Sequence, residues 1–241
     1  MTPPKKEGRP VKHVTRIFST TIGAKALMAA SGLLLIGFVL QHMVANLQVF
    51  LDPSYINSYA YFMQNLGPAL WVARLGLLAV VGLHIWAALK VTALNRAARP
   101  VAYAYKKQSL ATTYAARTMA VSGIIVLLFI VYHILHFTAH TVDFAGTTGF
   151  QTTLPDGTQV NDVHRMVVQG FRHPLTAGIY IVANLLLAAH LAHGAASLLQ
   201  TLGLRHQGNA KVVKTVGVLI GVVLAVGNVS MPLAALMGWI G

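Results

Sequence analysis

The 241-residue chain contains no cysteine. That absence excludes a disulfide, a cysteine-ligated iron–sulfur cluster within the chain, and a haem attached through thioether bonds. Any haem it carries is therefore held noncovalently. Acids are almost as scarce: Glu7, Asp52, Asp143, Asp156 and Asp162 are the full set, against 18 lysines and arginines. Only 10% of residues are charged, far below the roughly 25% of a soluble domain. A net charge of +13 would by itself suit a nucleic-acid partner. The placement of the cations excludes one, because they fall in short stretches between long apolar runs.

Those runs lie at about 26–50, 68–95, 116–142, 173–203 and 212–238. Each exceeds the ~20 residues that cross ~30 Å of hydrocarbon at ~1.5 Å per residue, and none has Asp or Glu in its interior. The first is too long for a cleavable signal and follows about 25 polar and basic residues. Lys5, Lys6, Arg9, Lys12, Arg16 and Lys25 precede it; Lys90, Arg96, Arg99, Lys106, Lys107 and Arg117 flank the second junction; Arg205, Lys211 and Lys214 flank the fourth. These six, six and three leave only Arg74, Arg165 and Arg172 for the opposite side. The bias predicts a multi-pass protein with a cytoplasmic N-terminus and an external C-terminus. It divides into a basic cytoplasmic segment, 1–25, and a five-span domain, 26–241. The external connection 143–172 reads equally well as a cap over the outer end of the bundle or as a solvated linker.

Within the spans one phrase occurs twice. Met28-Ala-Ala-Ser-Gly32 is followed after nine residues by His42, and Met119-Ala-Val-Ser-Gly123 after nine residues by His133, 91 positions on. An ionisable side chain deep in a bilayer is costly and marks a functional site. For the other two spans, aligning His84 with His193 brings Ala87 onto Ala196, Thr92 onto Thr201 and Arg96 onto Arg205. The result is two parallel two-helix repeats about an axis near the membrane normal, an arrangement known in membrane proteins. His42 and His133 lie 17 and 16 residues from Lys25 and Arg117, or ~24–26 Å. His84 and His193 each lie 12 residues from Arg96 and Arg205, or ~18 Å. His42 with His133 then forms an outer site, and His84 with His193 an inner one. His136 and His190, each one turn outward of its neighbour, stand as alternates for His133 and His193.

Two neutral imidazoles from facing helices supply both axial ligands of a b-type haem, a site for electron transfer with no open coordination position. Gly32, Gly37, Gly82, Gly123 and Gly194 would let a flat macrocycle approach the backbone, although glycine also serves close helix packing in membranes. Zinc fits less well, since closed sites gather four ligands at one place. A haem-free transporter could use histidines as a proton relay, but would more often bring acids into its spans. The fold class expected is all-α integral membrane: five transmembrane helices, the first four forming a di-haem four-helix bundle with an internal two-helix repeat.

Several stretches carry a wider resemblance: Thr21-Ile-Gly-Ala-Lys25, the Ser-Gly to His42 phrase with Asn46-Leu47, and Leu94-Asn-Arg-Ala-Ala-Arg-Pro100. To these are added Arg117-Thr-Met119, His133-Ile-Leu-His-Phe137, His190-Leu-Ala-His-Gly194, Ser197 and Gln200-Thr-Leu-Gly203. Together they resemble the cytochrome b558 membrane-anchor subunit of succinate dehydrogenase/fumarate reductase, of the single-anchor, five-helix, di-haem type. The resemblance implies one haem ligand from each of the first four helices: His42 and His133 for the outer haem, His84 and His193 for the inner. It implies two noncovalent haem b groups, and menaquinone or ubiquinone as electron-transfer substrate. It also implies an inner-membrane location, with a flavoprotein subunit and an iron–sulfur subunit on the cytoplasmic face. The whole complex is a candidate oligomer. Succinate chemistry would belong to a partner, and this chain would carry electrons between the iron–sulfur subunit and membrane quinone.

Arg117 and Arg205 are candidate propionate partners, with positive-inside anchoring the plainer role. Asn46, His136 and His140 are candidates for the edge of an outer quinone pocket, with Asp52 or Asp143 as acids. Some members of the family are associated with a membrane glutamate in proton handling; here the residue two before His193 is Leu191. The alternative functions are a di-haem cytochrome b subunit of a hydrogenase or formate dehydrogenase, and the histidine-relay transporter.

Overall fold

A computed structural model describes residues 20–98, 114–143 and 145–241, the side chains of 114–117 apart. Thr20 opens the first helix, its Oγ1 accepting from Gly23 N at 3.1 Å. The helix, α1, runs Thr21–Asn46 and tightens into a 3₁₀ turn at Leu47–Phe50. Asp52 caps a short helix, α2 (Pro53–Gln64), with Pro53 at its first turn, where the missing N–H costs nothing. Gly67, at φ 55°, turns the chain into α3 (Pro68–Ala97). Next comes α4 (Tyr114–Phe137). A hairpin follows, β1 (Gln151–Thr153) antiparallel to β2 (Gln159–Asn161), with Thr152 opposite Val160. Then come α5 (Val163–Arg172), capped by Asp162, α6 (Pro174–Thr201) and α7 (Ala210–Leu236).

Five of these helices are long and apolar enough to cross a membrane. They match the five apolar runs to within a few residues, except at the start of the first, where α1 begins at Thr21 and not at 26, and at the end of the third. There α4 stops at Phe137 instead of reaching 142. Ala139 N turns back to Ile134 O at 2.8 Å, Thr141 N to Leu135 O at 2.9 Å, and His140 adopts a left-handed φ of 52°. Leu75 and Leu78 of α3 and Leu128 and Val131 of α4 are exposed, a surface that only an apolar medium covers without penalty.

The packing follows the repeat. Helix α1 packs along α3, α4 packs along α6, and the two pairs meet chiefly through α1 and α6. Helix α7, outside the repeat, lies along α6 in the most extensive interface. Small residues permit it: a Cβ at Gly217 would run into the carbonyl oxygen of Ala192, and one at Gly221 would lie 2.8 Å from Ala188 O. Such close seams are what helices use where lipid removes any hydrophobic drive to associate.

Residues 143–172 are not a loose linker. Buried Asn57 of α2 donates to Asp162 Oδ1 at 3.1 Å and accepts from His164 N at 2.9 Å. His164 Nε2 lies 3.2 Å from Val49 O. Beneath these bonds Val49, Ile56, Val168, Phe171, Tyr180, Met231 and Ala235 form one buried cluster. The α4–α6 connection thus docks on the α1–α3 connection and closes one end of the bundle.

Candidate functional site

The histidines of the long helices fall into two groups. In the first, farther from the cap, Ser31 of α1 faces His84 of α3, with Oγ 3.1 Å from Nδ1. Ser122 of α4 faces His190 of α6 in the same way at 3.0 Å. These serines are the repeated Ser of the doubled phrase, so the two pairs are equivalents across the internal repeat. Their glycine neighbours repeat the relation: a Cβ at Gly32 would lie 3.3 Å from His84 Cε1, and one at Gly123 3.6 Å from His190 Cε1.

The hydrogen bonds also accommodate a tautomer that leaves Nε2 free. Ser31 donates its hydroxyl proton to its own helix, with Leu27 O at 2.7 Å and Met28 O at 3.2 Å. Ser122 does so to Met119 O at 3.1 Å. A hydroxyl has one proton; with that proton on the backbone carbonyl, each serine oxygen accepts from the histidine. In a neutral imidazole the proton then sits on Nδ1, and Nε2 keeps a free lone pair. This is how an outer-shell partner prepares an imidazole to bind metal through its other nitrogen.

That geometry brings forward the alternate for the inner pair. By its serine contact the counterpart of His84 is His190, at an offset of 106, one turn from His193 at 109. His193 is half-buried and has no hydrogen-bond partner among the described residues. The residue two positions before the inner ligand candidate is accordingly Ala188.

The second group lies toward the cap. His42 of α1 and His133 of α4 meet edge to face with ring centroids 5.8 Å apart, as the repeat pairs them. His42 stacks on Phe38. His133 Nδ1 lies 3.2 Å from Tyr180 Oη of α6, and the same hydroxyl lies 3.1 Å from His136 Nδ1. His136 is fully buried, and a Cβ at Gly170 of the cap would lie only 3.4 Å from its Cε1. It therefore sits behind His133, sealed by α5.

The three residues expected to edge a quinone pocket are not brought together. Asn46 turns its amide to His42 O of its own helix at 2.8 Å. His136 is inside the protein, and His140 is exposed beyond the end of α4, off the helical face assumed for it. Asp52 caps α2 through Ser54 N at 2.9 Å; its bonds to Ser54 hold the carboxyl below the ordinary value. Burial pushes the Asp143 carboxyl up, but the N–H groups of Thr147 and Ala145 more than offset it and hold it below the ordinary value. Both acids thus serve loop structure. Arg205 is exposed and donates to Gln200 Oε1 at 2.7 Å; the side chain of Arg117 lies outside the described residues.

Three contributors were not anticipated. Ser31 and Ser122 stand in the doubled phrase itself, and their recurrence at a fixed distance from a histidine was a usable signal. Tyr180 had none, since its place depends on how α4 and α6 meet. Among the described residues no three His, Cys, Asp or Glu side chains are grouped to hold a bare metal ion. No protein-family model, curated protein or solved structure matches the chain.

Proposed function

We propose that the chain is the di-haem membrane-anchor subunit of a succinate:quinone oxidoreductase of the cytochrome b558 type. The observation that carries the haem reading is the pair of equivalent Ser–His contacts, Ser31–His84 and Ser122–His190, which leave Nε2 of both histidines free for a ligand. The donor set suits haem better than a bare ion, because haem needs two axial imidazoles and brings its other four ligands with it. Glycine at 32 spares His84 the close approach of a Cβ, which would lie 3.3 Å from its Cε1. The choice of enzyme rests on the motif resemblance along residues 20 to 205.

In this reading His84 and His190 hold an inner haem, and His42 and His133 an outer one. Haem held there would supply reversible one-electron exchange at iron. The protein's own residues do the rest. Ser31 and Ser122 set the rings of the inner pair, and the cap keeps water from His136. The cation-rich segments around Lys25, Lys90–Arg96 and Arg205–Lys214 form the cytoplasmic face on which a flavoprotein and an iron–sulfur subunit dock. Menaquinone or ubiquinone exchanges electrons from the membrane.

A reduced-minus-oxidised spectrum and a haem count on the purified full-length chain test the reading. Two b-type haems per chain are expected. A colourless protein would refute every haem function and leave the histidine-relay transporter. Two haems without succinate- or fumarate-linked reduction in the native complex would shift the assignment to another dehydrogenase.

A further inference from the structure

Tyr180 is shared by two histidines that cannot both use it in the same way. Its Oη lies 3.2 Å from His133 Nδ1 and 3.1 Å from His136 Nδ1. A phenol has one proton to donate, and among the described residues the only hydrogen-bond partners of Tyr180 Oη are these two nitrogens. A buried hydroxyl that uses its proton therefore donates to one nitrogen and is left to accept from the other.

The surroundings leave the hydroxyl little freedom to do otherwise. The Tyr180 ring is buried and is held by ring contacts with Phe129 at 5.1 Å, Phe171 at 4.9 Å and Phe137 at 5.6 Å. His136 has no second hydrogen-bond partner among the described residues, since its buried Nε2 is unpaired. Nothing shown there competes with Tyr180 for it. His42, the repeat equivalent of His133, has no such ring-nitrogen partner among the described residues.

We propose that Tyr180 is a positioning residue for the outer site, accepting the Nδ1–H of His133 and donating its own proton to His136 Nδ1. Resting on the haem reading above, this direction presents His133 Nε2, and not Nδ1, to iron. The reverse direction would place the His133 proton on Nε2 and block ligation there. The Nδ1–H···O bond makes the imidazole a stronger donor, which stabilises the ferric state and lowers the reduction potential. Buried hydrogen bonds in a chain polarise one another, so His136 strengthens the effect from one residue farther away. The outer haem thus has one tuned ligand and one untuned, unlike the inner haem with its two serines.

Tyr180→Phe tests this because it keeps the packed ring and deletes only the oxygen. Redox titration and low-temperature EPR on the purified full-length chain read the result, with the outer haem identified as the one lost in His42→Ala. Tyr180→Phe should retain two haems, raise the potential of the outer haem, shift its low-field EPR signal and leave the inner haem unchanged. His136→Phe should shift the outer haem the same way by less, and the double variant no further than Tyr180→Phe alone. An unchanged outer potential in Tyr180→Phe, or equal shifts of both haems, overturns the proposal while leaving the di-haem reading intact. Wild-type protein without haem overturns both.

Discussion

Removing one hydroxyl should separate the two candidates for the inner ligand. In Ser122→Ala the Oγ that lies 3.0 Å from His190 Nδ1 is lost, and nothing else is disturbed, because the serine otherwise bonds only its own helix at Met119 O. A typical hydrogen bond contributes about 1 kcal/mol net, and a buried group left unpaired costs about 1–3 kcal/mol. At about 1.4 kcal/mol per factor of ten, haem affinity should fall roughly five-fold to a hundred-fold. Ser31→Ala, with its oxygen 3.1 Å from His84 Nδ1, should cost about the same, since the two contacts are equivalent. The assay is haem titration into the apoprotein, following the inner haem by its absence in His84→Ala. His190→Ala should lose that same haem outright, whereas His193→Ala should retain it. Loss of haem in His193→Ala with normal affinity in Ser122→Ala would refute the assignment and restore the register read from the sequence.

Gly221→Val should destabilise the α6–α7 seam, because even a Cβ there would lie 2.8 Å from Ala188 O; overpacking of this kind costs about 1–3 kcal/mol, read as a lowered midpoint of thermal unfolding in detergent. Asn57→Ala orphans His164 N beneath the cap, at about 1–3 kcal/mol, and should expose the 143–162 region to limited proteolysis while the helices survive. Asp143 titrates below its ordinary value of 3.8 in the folded protein, so its stabilising effect is complete above that value and is lost as the pH falls below it. Hydrogen exchange at Ala145 and Thr147 should accelerate through that acidic window relative to neighbouring amides. Asp143→Asn should remove the pH dependence, and its persistence in that variant would refute the assignment.

The spans were legible because length and apolarity leave few options in a bilayer, where every backbone group must bond within its own segment. The third was overrun by five residues, since Thr138 to Val142 remain compatible with a helix until the turn-back at Ala139 and Thr141 is seen. The contact between His42 and His133 was legible from an unbroken 91-residue repeat. The connection 143–172 was not, because its docking depends on Asn57, more than 80 residues earlier in the chain.

The sequence by itself determined that this chain has five membrane-length apolar helices, no thiol chemistry, no acid within its spans and a doubled Ser-Gly-to-His phrase. Tertiary structure alone decided which histidine each phrase serves. His190 and His193 are three residues apart, as are His133 and His136; on a helix that is ~4.5 Å along the axis and about 60° around it. Periodicity hardly distinguishes two such positions, because both lie near the same face. The facing helix does distinguish them: Ser122 reaches His190, and Tyr180 takes His136 behind His133.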